Sequence, residues 1–222
     1  MAITRIQFKT GTAAAATTIS VTLDGAPSNG NGLVIAITTS GTSTGRVSSI
    51  SQTGVTWTKA IEVAHASGPT SEIWYGLNAS SASASITVNL AATLNAHCVV
   101  AEYSGLATSS ALDKTASNTG TGGSAADSGT TATTTTNNQL WVASLGSALT
   151  SGAYLAPSNS FTEVAQLGDA TLLLAFEEKI VSATGAANTS AAWSLGSEAE
   201  QWAGTIATFK EPASARRIFN IA

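Results

Sequence analysis

The chain has 222 residues, of which 43% are hydrophobic and only 10% charged, with a net charge of -4 and a pI near 5.0. This is a globular composition, because disorder combines low hydrophobicity with high charge, and it gives no basic field for a nucleic-acid backbone, so no nucleic-acid partner is expected. Cys98 is the only cysteine, which excludes an intramolecular disulfide and a thiolate metal cluster, and no apolar run approaches the roughly 20 residues that span a bilayer, so no membrane partner is expected either.

Near the start, Lys9, Thr10 and Gly11 interrupt the hydrophobic core that a signal peptide needs, so we expect synthesis in a cytoplasm. Thr17 to Leu23 alternates, with Ile19, Val21 and Leu23 on one face, and reads as a half-buried strand. Turn residues follow from Asp24 to Gly30, and Leu33 to Thr38 is the continuous run of a central strand. Val55 to Val63 alternates again, with Lys59 as its polar intruder. Glu72 to Leu77, Ser85 to Leu90 and His97 to Tyr103 read as further strands. From Thr108 to Gly129 the chain is Ser, Thr, Gly, Asn and Ala, which predicts a surface connector. Thr130 to Thr136 has the β-branched composition of a surface or edge strand.

The second half then repeats the first. Asn138 to Ser144 answers Asn31 to Ile37, Ser160 to Val164 answers Thr56 to Ala60, Leu173 to Glu177 answers Glu72 to Gly76, and Thr189 to Leu195 answers Ser83 to Leu90. Gln201 to Lys210 closes the copy, at an offset that stays near about 105 residues, as an ancient internal duplication would leave it. The class this predicts is all-β, a jelly-roll-like sandwich of two antiparallel sheets built from the duplication. We expect one domain over 1–210, with pseudo-repeats at about 17–106 and 130–210, in preference to two tandem sandwiches. Residues 211–222 form a C-terminal arm, since Pro212 cannot extend a ladder.

Candidate chemistry is sparse. His65 and His97 lack a third ligand at metal spacing, and Asp24, Asp113, Asp127 and Asp169 sit in turns without a dense oxygen loop, so neither metal nor cofactor is expected. No serine lies in a nucleophile elbow. Glu198 with Glu200, Glu72 and Glu102 are the acids to weigh for glycoside hydrolysis; Glu177 and Glu178 are adjacent and point to opposite faces. Solvated strand-end acids are the commoner outcome, and we expect no enzyme. Trp57 with Phe161, and Tyr103 with Phe209, fall at equivalent places of the two copies, as packing residues do. Trp74 and Tyr154 are the residues left for a ligand face, such as one that stacks on a glycan.

Val55-Thr56-Trp57-Thr58, Glu72-Ile73-Trp74-Tyr75, Ala101-Glu102-Tyr103-Ser104-Gly105-Leu106, Leu112-Asp113 and a Thr-rich run before Asn138-Gln139-Leu140 together resemble a β-sandwich module of tailed-phage structural proteins and bacterial surface proteins. The resemblance covers roughly residues 30 to 210 and departs at Ser51 to Trp57, where that module carries Asp-x-x-Gly-Asn-x-Trp. It implies a virion protein, first a capsid decoration (cement) protein, with a tail or fibre component or a carbohydrate-binding adhesion module as alternatives. The implied partners are protein subunits of a capsid or tail and further copies of the chain. In the arm, Ile218, Phe219 and Ile221 are apolar residues that gain roughly 1.5 to 3 kcal/mol each when buried. We expect them to anchor on a partner while Arg216 and Arg217 meet acidic groups there.

Overall fold

The computed structural model describes residues 2–148, 153–193 and 200–213, and these form strands without a helix. The first half contains β1 (Thr4–Thr22), β2 (Gly32–Thr39), β3 (Val47–Ser51), β4 (Trp57–Ala64), β5 (Thr70–Gly76) and β6 (Ser85–Ser104). The second contains β7 (Leu112–Thr121), β8 (Ala125–Asp127), β9 (Gln139–Ser147), β10 (Tyr154–Pro157), β11 (Thr162–Gly168), β12 (Leu173–Val181), β13 (Ser190–Trp193) and β14 (Gln201–Lys210).

β1 and β6 are long because each bends and serves two layers. Residues 4–13 of β1 pair with residues 96–104 of β6, the register slips between Ala13 and Thr18, and residues 18–22 then pair with residues 85–89. At the slip Ala15 takes a positive φ of 48° and its amide donates to Asn95 Oδ1 at 2.8 Å, so a side chain satisfies a group that the ladder drops.

The first-half sheet runs β1-β6-β2-β5-β4, and β3 adds to the N-terminal arm of β6. In the second half the same path is cut into separate strands, β7-β14-β9-β12-β11 in one sheet and β10-β13-β8 in the other. With each bent strand counted as two arms, both halves follow 1-8-3-6-5 in the large sheet and 2-7-4 in the small one. Equal topology in both halves is the structural counterpart of the repeated sequence.

The two five-stranded sheets face each other across a shared core that includes Val34, Ile73 and Tyr103 from one half and Leu140, Phe176 and Phe209 from the other. On the outer side of the first large sheet, Ile19, Val21, Ile86 and Val88 of the bent arms cover Leu33, Ile35, Ile37 and Val100. The second half is covered likewise, with Ala126, Tyr154 and Ala191 over Leu145 and Trp202, and Phe161 beside Trp141. β2 and β9 are buried at every position because both of their faces are covered, which explains their continuous apolar runs. Towards one end the shared core turns polar: Ser71 Oγ donates to the Ser144 carbonyl at 2.8 Å and lies 3.0 Å from Thr205 Oγ1.

Two sequence expectations change. The connector from Thr108 to Gly129 carries β7 and β8; β7 is an edge strand whose polar side chains face water while its backbone pairs with β14. Thr130 to Thr136 is not a strand. There the Thr131 and Thr134 amides donate to the Ala187 and Gly185 carbonyls at 3.0 and 2.9 Å, and their hydroxyls accept from the Ala187 and Gly185 amides at 2.9 and 3.1 Å. The hydroxyls thus take over the acceptor role of a ladder carbonyl.

Candidate functional site

Three clefts lie together at one end of the molecule. Here β1 begins and β12 and β14 finish, and Pro212 stops the last ladder. Between the starting and finishing strands lies a cleft of about 350 Å³ lined by Ala2, Ile3, Asn138, Ile180, Val181 and Glu211 among others. Two neighbouring clefts of about 430 and 290 Å³ also take Glu211 and Ala213 into their walls. Glu211 is held by Asn138 Nδ2, which donates to its Oε1 at 2.6 Å.

Ile180 is 49% exposed at the rim of this cleft. On β1, Ile6 is 52% and Phe8 39% exposed. Arg5, between Ile3 and Ile6 in sequence, pairs with Glu178 at 2.9 Å and lies 5.3 Å from the centre of the Phe8 ring. Tyr103 OH donates to the other Glu178 oxygen at 2.6 Å, and burial first, then the Glu178 charge, pushes the phenol well above its ordinary pKa. β1 is the edge of its sheet, so its outer backbone groups are unpaired beside these apolar side chains.

The second feature is a pair of acids in each half. Glu72 stands opposite Glu62 on β5 and β4, and Glu177 opposite Glu163 on β12 and β11. Glu72 accepts from Trp74 Nε1 at 2.9 Å and from the Val47 amide at 3.1 Å, and Lys59 Nζ lies 3.3 Å from Glu72 and 2.5 Å from Glu62. Burial raises the Glu72 pKa, against these donors and the Lys59 charge. Glu177 accepts from Thr189 Oγ1 at 2.7 Å through one oxygen, while its other oxygen is buried with no partner among the described residues. Burial, opposed by the Thr189 bond and assisted by the Glu163 charge, raises Glu177 to about 7. A neutral carboxyl tolerates that setting far better than a carboxylate does. Glu177 lies against β13 in the interior and lines none of the clefts described above.

The residues singled out in the sequence are placed as follows. Trp74 and Tyr154 do not form a ligand face: Trp74 is 9% exposed with its indole tied to Glu72, and Tyr154 is 5% exposed under the small sheet. Trp74 turns inward because the bent arms cover its side of the first large sheet, and Tyr154, on the small sheet, turns towards Leu145 and Trp202 of the large sheet that it covers. Tyr103, Phe161 and Phe209 are buried, whereas Trp57 is half-buried with its Nε1 donating to Gln52 at 3.2 Å. Glu102 is buried and accepts from Gln7, Ser28 and Asn31, a fully bonded structural acid. Glu198 and the arm residues Arg216, Arg217, Ile218, Phe219 and Ile221 lie outside the described residues. No group of three or more metal-ligating side chains occurs among the described residues. Sequence reasoning passed over the apolar rim, although Ile6 and Phe8 in an otherwise polar edge segment are its signal.

No family model matches the chain, nor does any curated protein or solved structure.

Proposed function

We propose that this is a non-enzymatic structural protein of a virion, a capsid decoration (cement) protein that binds and stabilises the assembled particle. The observation that carries the reading is the pair of exposed apolar residues Ile6 and Phe8 on the open edge strand β1, together with exposed Ile180 of β12 at the end where β1 begins. Exposed apolar groups clustered beside unpaired strand edges mark a surface for another protein. The rest of the molecule supplies a stiff body, with sheets packed on both sides of a shared core. The strand order repeated in both halves resembles the winding of jelly rolls, an architecture used by viral capsid and lectin domains. The carbohydrate-binding alternative has less support, because Trp74 and Tyr154 offer no ring to a sugar.

Gradient sedimentation of the purified protein with capsids of its own phage tests the reading. Co-sedimentation at saturating, stoichiometric occupancy supports it. Binding to isolated tails instead would make it a tail component, and glycan-array binding without particle binding would make it an adhesion module.

A further inference from the structure

We infer that the second half binds a calcium ion between Glu163 and Glu177, at the place where the first half holds the ammonium of Lys59. The two halves build this place alike. Glu62 stands opposite Glu72 across β4 and β5, and Glu163 stands opposite Glu177 across β11 and β12, so in each pair both carboxylates leave the sheet on one face. In each pair one acid is interior and the other reaches water: Glu72 and Glu177 are buried, whereas Glu62 is half-buried and Glu163 exposed. In the first half Lys59 Nζ serves both acids, 2.5 Å from Glu62 and 3.3 Å from Glu72.

In the second half the donors fall short of the charge. Glu177 Oε2 accepts from Thr189 Oγ1 at 2.7 Å, and its Oε1 is buried without a hydrogen-bond partner among the described residues. Glu163 Oε2 accepts from Gln166 Nε2 at 3.3 Å, a long contact with a neutral amide. Lys179, two residues on and on the same face of β12, is engaged elsewhere: its ammonium donates to the Asn159 carbonyl at 2.7 Å and lies 5.7 and 5.9 Å from the centres of the Trp141 and Phe161 rings. A buried carboxylate oxygen without a donor, set opposite a second carboxylate, is relieved by a cation. Calcium suits these groups, because it takes six to eight oxygens in a flexible shell, whereas magnesium demands a near-ideal octahedron and gives up water reluctantly. The two carboxylates supply the charged ligands, and water on the open side of Glu163 completes the shell. With so few protein oxygens the affinity falls in the weak range, Kd about 0.1–1 mM. The ion ties β11 and β12 to the small sheet, since Glu177 also holds Thr189 at the head of β13. Sequence spacing hides the site because the two acids meet only through the pairing of β11 with β12.

Calorimetric titration of the full chain with calcium chloride at pH 8, beside melting curves in EDTA and in about 10 mM calcium, reads the site. The chain should bind one calcium, which should raise its melting temperature by about 3 °C or more. Glu163→Gln and Glu177→Gln should each weaken binding at least about tenfold, whereas Glu62→Gln in the first half should leave it unchanged. Glu163 is exposed, so its variant keeps the fold, and its melting curve in EDTA checks this. Glu163→Lys brings the cation from the chain itself; it should melt higher than the parent in EDTA and no longer respond to calcium. A parent chain that shows neither binding heat nor a melting shift at about 10 mM calcium would overturn the inference. So would a response that the Glu163→Gln chain keeps in full, which would mark an adventitious ion only.

Discussion

Glu163 and Glu177 stand opposite each other on β11 and β12, with no lysine or arginine paired to either among the described residues. The matching strands of the first half oppose Glu62 to Glu72 and place Lys59 within 3.3 Å of both. One half thus sets a cation beside its buried acid, and the other leaves its buried acid without one among the described residues, where burial raises its pKa.

The sign of the resulting pH dependence follows from the raised pKa. Glu177 titrates at about 7 folded against 4.5 as an unperturbed carboxyl, so the folded state holds the proton more tightly. Its contribution to stability is fully present below pH 4.5 and is lost as pH rises to about 7. The difference corresponds to about 3 kcal/mol at 1.36 kcal/mol per pH unit. Glu177→Gln keeps an acceptor for Thr189 and removes the charge, so at pH 8 it should stabilise by up to about that amount and at pH 4 change little. Urea unfolding at the two pH values checks this; equal effects at both would contradict it.

His97 runs the other way. It is buried on β6, 3.3 Å from Asp169 in the β11–β12 turn, and burial lowers its pKa more than Asp169 and the Leu172 backbone raise it. A lowered histidine contributes stability above its unfolded pKa, here 6.5, and loses it as pH falls below that value. His97→Gln should therefore flatten the loss of stability between pH 7 and pH 5. Thermal melts across that range that run parallel for the two proteins would show that His97 is not the group responsible.

The sheets of the two halves meet closely where Gly146 faces Thr38. A Cβ at Gly146 would overlap Thr38 Oγ1, which itself donates to the Thr70 carbonyl at 2.7 Å. Gly146→Ala should cost about 1–3 kcal/mol through overpacking. Adding Thr38→Ala should recover part of that loss, a coupling of at least about 0.5 kcal/mol in a double-mutant cycle. Strict additivity would mean that the two residues do not set the spacing.

Phe161 and Trp57 give a graded packing test. Phe161 is 6% exposed and its ring lies tilted against Trp141 with centroids 6.4 Å apart, so Phe161→Ala should cost about 3–5 kcal/mol. Trp57 is only half-buried, and Trp57→Ala should cost less. The reverse order in denaturant titrations would contradict the placement of both rings.

Much of the fold is legible in the sequence where burial is one-sided or complete. Alternation marks Ile19 and Val21, and unbroken apolar runs mark β2 and β9, whose two faces are both covered. The repeat shows in the same residues, because equal topology demands equal patterns. The arms of β1 and β6 are not legible: the slip from Ala13 to Thr18 is made by small residues and closed by a distant Asn95 side chain. β7 is hidden for a related reason, since an edge strand with water on one side needs little apolar alternation. Trp74 is open to a surface reading because the cluster that buries it, which includes Ile86 and Val88 of a folded-over arm, is assembled by topology and not by neighbours in sequence. The buried acids did leave a trace, as Glu72 directly precedes the apolar Ile73-Trp74-Tyr75 and Glu177 directly follows the apolar run Leu173 to Phe176.

A decoration protein of the proposed kind would bind its capsid through the end that carries Ile6, Phe8 and Ile180. Electron cryo-microscopy of capsids incubated with the protein, and with an Ile6→Ser/Phe8→Ser variant, measures it directly. Ordered density is expected on the shell with the start of β1 at the contact, and occupancy by the variant should fall about tenfold or more at subsaturating concentration. Bare capsids at saturating protein, or a contact made through the opposite end with full occupancy by the variant, would contradict it.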